Sequence, residues 1–160
     1  MISVTDETGR LSEDQLDWLR GTLVTWLAND GLAAHEDLPL FSLIFTDDQA
    51  IAKLNERDRG VNGPTDVLSY PVHEPDDEGF PALPFLGDIF ISLDTATQQA
   101  EAAGQHPLIE LLVLAVHGFT HLQGYDHTTE EEWKVFEAAQ EAIRRLALAD
   151  LPPGHGSGAA

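Results

Sequence analysis

The segment His117 to His127, HGFTHLQGYDH, gathers three of the chain's seven histidines, and any fold that accommodates it must bring their rings near one another. If residues 108–122 are helical, His117 and His121 lie four positions apart and project from one face, one turn above the other. Gly124 ends such a helix, because glycine takes the left-handed backbone that reverses the chain. The turn QGYD then swings His127 back toward the first two rings. Three imidazoles with one open position form the usual environment of catalytic zinc, whose fourth ligand is water. Two histidines at helical spacing in an apolar stretch are commonly core or cap residues. The full spacing H-x3-H-x2-G-x2-H goes further and reproduces a long zincin motif, glycine included. The departure is at one place: zincin peptidases carry a glutamate as general base directly after the first histidine, and Gly118 stands there in this chain.

The rest of the chain frames this motif with strands and helices. Ile2 to Thr5 alternates as an edge strand. Ser12 caps a helix with Glu13 and Asp14 in its first turn, and Leu16, Leu19, Leu23, Trp26 and Leu27 keep the helical period until Gly31. Pro39 to Phe45 reads as a strand, and Thr46 with Gln49 as the capping box of a short helix through about Glu56. RDRGVNGPTD reads as a loop and Val67 to Val72 as a strand. His73 to Pro84 holds four acids and three prolines and is expected to be an exposed connector. Leu86 to Leu93 is the next strand, followed by a helix from Asp94 or Thr95 to about Ala103 and a break at Gly104. Pro107 opens the helix that carries the histidines. Thr128 or Thr129 caps a final helix with Trp133, Phe136, Ala139 or Gln140, Ile143 and Leu146 along one apolar side. The expectation is one α+β domain over residues 1–150, a small mixed sheet packed with helices, with the metal site on a central buried helix and its following turn. Residues 151–160 read as a disordered tail in which His155 is no ligand.

Composition narrows the setting. A chain of 160 residues buries a sizeable core without staples. There is no cysteine, which fits a reducing compartment and excludes thiolate ligands and a cysteine nucleophile. The longest apolar run, LIELLVLAV, is interrupted by Glu110, and the N-terminus has no signal-peptide pattern, so a cytoplasmic protein without a membrane span is expected. The formal charge is −20, from 28 acidic and 8 basic residues. That argues against nonspecific attraction to polyanions. Acid-rich, lysine-poor surfaces also keep proteins soluble at very high salt, where charges are screened within about 3 Å. A salt-loving source is therefore our hypothesis, to be tested by a melting curve that rises steeply between low and molar KCl.

Three separated segments, LNERDRG, PTDVLSYP with LGDI, and HGFTHLQGYDH, together resemble the YbeY family of bacterial ribosomal-RNA maturation endoribonucleases. The likeness covers roughly Leu54 to Thr128. It implies a zincin-like α+β fold, one zinc ion held by His117, His121 and His127, and a phosphate-side arginine at Arg59. It further implies work on the 3′ end of small-subunit ribosomal RNA and in ribosome quality control, with the small ribosomal subunit as partner and no DNA. Two positions depart from the family pattern. Asp58 replaces an aromatic residue before the arginine, weakening base or sugar stacking there, and Thr120 replaces a leucine inside the histidine motif.

Phosphodiester cleavage asks for charge stabilisation on the nonbridging oxygens and an activated water or 2′-hydroxyl, and a divalent metal supplies both. Arg59 either completes that site, its planar fork matching phosphate, or forms a surface salt bridge with a nearby acid. Asp126 either orients a ligand imidazole or bonds its own turn. Asp66 and Ser69 carry the same ambiguity, and Asp88 is either a substrate-side residue of its strand or a turn residue. Three functions compete: a metal-dependent endoribonuclease, a zincin-type metallopeptidase, and a non-enzymatic ribosome-assembly factor with a structural metal.

Overall fold

Parallel strands need a long crossover between them, and helices inserted between short apolar strands provide it. The computed structural model describes residues 2–29, 40–72 and 85–152. In chain order the elements are β1 (Ser3–Asp6), α1 (Glu13–Asn29), β2 (Ser42–Thr46), α2 (Asp48–Arg59), β3 (Val67–Pro71), β4 (Gly87–Ser92), α3 (Leu93–Ala103), α4 (Pro107–Leu122) and α5 (Glu130–Ala149). The strands form one sheet in the order β1-β2-β4-β3. β1, β2 and β4 run parallel, and β3 pairs antiparallel with β4 at the far edge. The sheet is thus mixed and small, with β1 at an edge, as its sequence predicts.

A helix that is apolar on every side must be covered on every side. Twelve of the sixteen residues of α4 are buried; the helix lies against β3 and β4 and is enclosed by α1, α3 and α5. Phe119 anchors it between Trp26 and Phe41, with ring centroids 5.6 and 5.2 Å away. Thr120 is buried, and its hydroxyl donates to the Val116 carbonyl at 2.8 Å. The hydroxyl that replaces a leucine methyl is therefore satisfied inside the helix.

Caps refine several boundaries. Ser12 and Gln15 bond reciprocally, side chain to backbone N–H, at 3.1 and 2.9 Å. Asp47, not Thr46, caps α2, accepting from the Ala50 N–H at 2.8 Å; Thr46 is still paired with Ser92 in the sheet and cannot turn away to cap. The same helix runs past Glu56 to Arg59, because Gly60, at φ 67°, is the first residue able to reverse the chain. The expected loop therefore starts three residues late, and Arg57 and Arg59 sit in the last turn, where cations favour the helix dipole. Ser92 caps α3, Thr129 caps α5, and the His106 ring accepts from the Leu108 N–H at the start of α4. At the C-terminal end the Trp18 indole donates to the Asp150 carbonyl at 2.9 Å and Pro152 is buried, so packing continues beyond residue 150. Gly31, Pro39, the acidic connector 73–84 and His155 lie outside the described residues.

Candidate metal centre

Helix geometry and one turn build the site. His117 and His121 project together from the last turns of α4, and Gly124, at φ 99°, turns the chain so that His127 faces them. The ring centroids are 4.9 Å apart for His117 and His121, 5.2 Å for His121 and His127, and 5.7 Å for His117 and His127. One nitrogen from each ring lies within 4.8 Å of the other two, a spread that one ion bound at about 2.0–2.1 Å per nitrogen can close.

Protonation favours a metal over three cations. Burial pushes His117 down to about 4, and the neighbouring charges of His121 and His127 oppose its protonation further. Burial also lowers His121. These two rings are therefore neutral near pH 7, with a lone pair to offer. The hydrogen bonds on their far sides select which one. His121 Nδ1 lies 3.1 Å from the Tyr125 carbonyl, an atom that only accepts, so Nδ1 carries the proton and Nε2 is bare. The Gln140 amide nitrogen Nε2 lies 3.1 Å from His117 Nδ1; a half-turn of the amide would put its oxygen there instead, where it would accept the Nδ1 proton in the same way. Phe136, fully buried, backs all three rings at 4.8, 4.8 and 5.5 Å. The donor set, the tautomer control and the dry backing all fit a divalent transition metal.

The histidines open into a cleft of about 450 Å³, also lined by Arg59, Asp66, Ser69, Tyr125 and Asp126. Arg59, on the last turn of α2, donates to the Ser69 carbonyl at 3.3 Å. Its neighbour Asp58 is engaged elsewhere, accepting from Arg57 at 2.7 and 2.8 Å and from the Tyr70 hydroxyl at 2.7 Å. Those bonds, Arg57's first, hold Asp58 down to about 2, while burial and then Asp58 push Tyr70 up to about 12. Asp58 thus pins the end of α2 to β3 and leaves Arg59 without an ion pair among the described residues.

The other candidates separate clearly. Ser69 donates its hydroxyl to the Gly118 carbonyl at 3.2 Å, holding β3 against α4. Asp66 accepts from its neighbour Val67 N–H at 2.7 Å and from Gln99 at 3.2 Å. Asp126 bonds its own turn, accepting from the His127 N–H at 2.9 Å; among the described residues no imidazole bonds its carboxylate. Asp88 is outside the cleft. It pairs with Tyr70, and strand alternation puts both on the sheet face opposite Ile89 and Ser69, which meet α4. Sequence reasoning missed Phe136, Trp133 and Gln140 as site residues. Their helical spacing gave an apolar side to α5, and the signal that this side faces histidines exists only in three dimensions.

Gly118 faces the sheet. A Cβ there would meet Ile89 Cγ2 at 2.7 Å and Ser69 Oγ at 3.0 Å, so the position that holds the peptidase glutamate in zincins here points into packed core.

Comparison with known proteins agrees with this geometry. The family model for Endoribonuclease YbeY matches residues 2–147. The endoribonuclease YbeY of Bacillus licheniformis is 41% identical over 155 residues, 92% of this chain and 96% of that protein. The Thermus thermophilus protein of the same name is 49% identical over 105 residues, 66% of this chain and 74% of its own length. Among solved structures, a Thermotoga maritima protein determined in solution superposes with a TM-score of 0.59 at 26% identity, covering 96% of this chain and 99% of its own. With the family model matched along nearly its whole length and the three histidines gathered at one cleft, the chain belongs to the Endoribonuclease YbeY family.

Proposed function

We propose that this chain is a metal-dependent, single-strand-specific endoribonuclease that acts in 3′-end maturation of small-subunit (16S) ribosomal RNA and in ribosome quality control. The observation that carries the reading is a three-histidine cluster opening into the same cleft as an arginine without an ion pair. His117, His121 and His127 would hold one zinc ion, which when bound supplies Lewis-acid stabilisation of phosphate charge and an activated water. Arg59 grips a nonbridging phosphate oxygen pair with its fork, oriented by the Ser69 carbonyl. Phe136 excludes water from behind the rings, and the Tyr125 carbonyl fixes the His121 tautomer. Nickel, cobalt and copper suit the same donors, and zinc is our choice among them. The small ribosomal subunit is the proposed partner and the cytoplasm the proposed location; no described helix is long and apolar enough to cross a membrane.

The peptidase alternative is disfavoured by Gly118, which offers no general base and where any side chain would collide with Ile89 and Ser69. The test compares metal-stripped and zinc-loaded protein on single-stranded and duplex RNA and on casein. Zinc-restored cleavage of single strands alone is expected. Casein hydrolysis, or RNA cleavage indifferent to metal, would overturn the reading.

A further inference from the structure

Exposed large aromatic rings are uncommon on a soluble domain and mark surfaces that touch something. Among the described phenylalanines, tyrosines and tryptophans only Tyr125, at 41%, and Trp133, at 43%, are so exposed. Both stand beside His127. Tyr125 lines the cleft two residues before it, and the Trp133 ring meets the His127 ring edge-on at 5.6 Å. Both are anchored to the site. Trp133 is stacked on buried Phe136 at 6.2 Å and 26°, and the Tyr125 backbone is held at both ends, its N–H donating to Thr120 and its carbonyl accepting from His121. One exposed ring is thus stacked from behind and the other is carried on a backbone bonded at both ends, and both are open to water beside the site.

Charge says what they must do. The chain carries −20, and besides the histidines the cleft is lined by one cation, Arg59, and two acids, Asp66 and Asp126. Phosphate contacts alone then give little affinity for RNA, since that affinity grows with each phosphate neutralised. Base stacking needs no charge, works with any base, and requires a base face that duplex pairing hides. We infer that Tyr125 and Trp133 form a nucleobase platform, which binds unpaired bases of single-stranded RNA next to the phosphate held at Arg59 and the histidines. This rests on the ribonuclease reading and supplies a physical source for its single-strand preference.

The test uses the full-length zinc-loaded protein and short oligouridylates and oligoadenylates, with KM, kcat, zinc content and melting temperature measured together. Trp133→Leu and Tyr125→Leu are each expected to raise KM about 5- to 150-fold on both oligomers, the range of one lost stacking contact. Trp133→Phe and Tyr125→Phe, which keep a ring, are expected to recover most of that. The slope of log KM against log salt stays as in the parent protein, because no phosphate contact is lost. Removing one base from the oligomer costs the parent protein affinity and costs the matching leucine variant little more. If the parent cleaves RNA while both leucine variants keep its KM, the platform is refuted and the ribonuclease reading stands. If the leucine variants raise KM only by losing zinc or stability, the rings are structural and the platform is again refuted. A parent protein that neither binds nor cleaves RNA removes both.

Discussion

Gly118→Ala and Gly21→Ala are the same substitution in two helix interiors, and the structure assigns them opposite signs. Helix propensity alone favours alanine over glycine by ~1 kcal/mol. At Gly21, in α1, a Cβ meets nothing within 4 Å, so the variant is expected to be more stable by about 0.5–1 kcal/mol. At Gly118 the Cβ would lie 2.7 Å from Ile89 Cγ2 and 3.0 Å from Ser69 Oγ. Ile89 is fully buried and β-branched, on a strand paired on both sides, so its methyl has nowhere to rotate. Overpacking of this kind costs about 1–3 kcal/mol, and with the propensity gain of ~1 kcal/mol subtracted a net loss of up to about 2 kcal/mol remains. In a chain of this size that lowers the melting temperature by about 2–4 °C per kcal/mol. Urea unfolding of the two variants and the parent at one fixed KCl concentration measures it. Zinc affinity should fall in the Gly118 variant as well, because α4 can only relieve the contact by lifting the turn that carries His117 and His121. A Gly118 variant stabilised as much as the Gly21 variant would refute the packing argument, and with it the reason given for the absent glutamate.

Single alanine substitutions at His117, His121 or His127 should each abolish stoichiometric zinc binding, measured by metal analysis after gel filtration, since a three-ligand site has no spare donor. Gln140→Leu should weaken zinc binding about 10-fold or more while Gln140→Glu, which keeps an acceptor for the His117 Nδ1 proton, holds it; equal affinities would remove Gln140 from the site. In metal-free protein, unfolded imidazoles take up protons near 6.5 whereas folded His117 resists until about 4. The unfolded state then binds more protons in that window, so stability is lost as pH falls from 6.5 to 4. Partial solvent screening limits the loss to about 1–2 kcal/mol, readable by urea titration, and zinc-loaded protein should resist until the metal is released. Arg59→Ala should retain zinc and melting temperature while losing ~1.5–3 kcal/mol in transition-state stabilisation from kcat/KM, and should flatten the salt slope of RNA affinity by ~0.7; Arg59→Lys should recover little.

The order of elements was legible because each is punctuated locally: Gly104 ends α3, Pro107 opens α4, and Gly124 turns the chain, each by backbone conformations that few residues share. The histidine cluster was legible for the same reason, as helical spacing and one glycine fix its geometry. What escaped depended on tertiary choice. The segment 57–59 is equally the start of a polar loop or an exposed last helical turn, and only Gly60 decides, which puts Arg59 on a helix end instead of in a loop. Thr46 looks like a cap until the sheet claims it for pairing with Ser92. Asp88 looks close to the site in sequence, but strand alternation assigns it to the other face, a fact fixed by register with Tyr70 and not by composition. In sequence Asp58 stands as a lost stacking residue, whereas its bonds to Arg57 and Tyr70 make it the brace of α2.

These placements bear on how so acidic a chain can work on a polyanion. Long-range attraction is unavailable to it, and at molar salt, where screening acts within about 3 Å, it would be lost in any case. The interactions proposed at the site are short-ranged: nitrogen donors spaced for one ion, a guanidinium fork held by a carbonyl, and the exposed rings of Tyr125 and Trp133, the latter stacked on Phe136. Coordination and stacking draw on contact, not on field, and salt strengthens rather than screens the apolar part of stacking. A basic relative gains affinity from every phosphate it neutralises and loses it as salt rises. This chain is expected to trade lower affinity at low salt for activity that persists in molar KCl, and a KM that rises no more than about 3-fold between 0.5 and 2 M KCl, the share of one phosphate contact at Arg59, is the measurement that decides it.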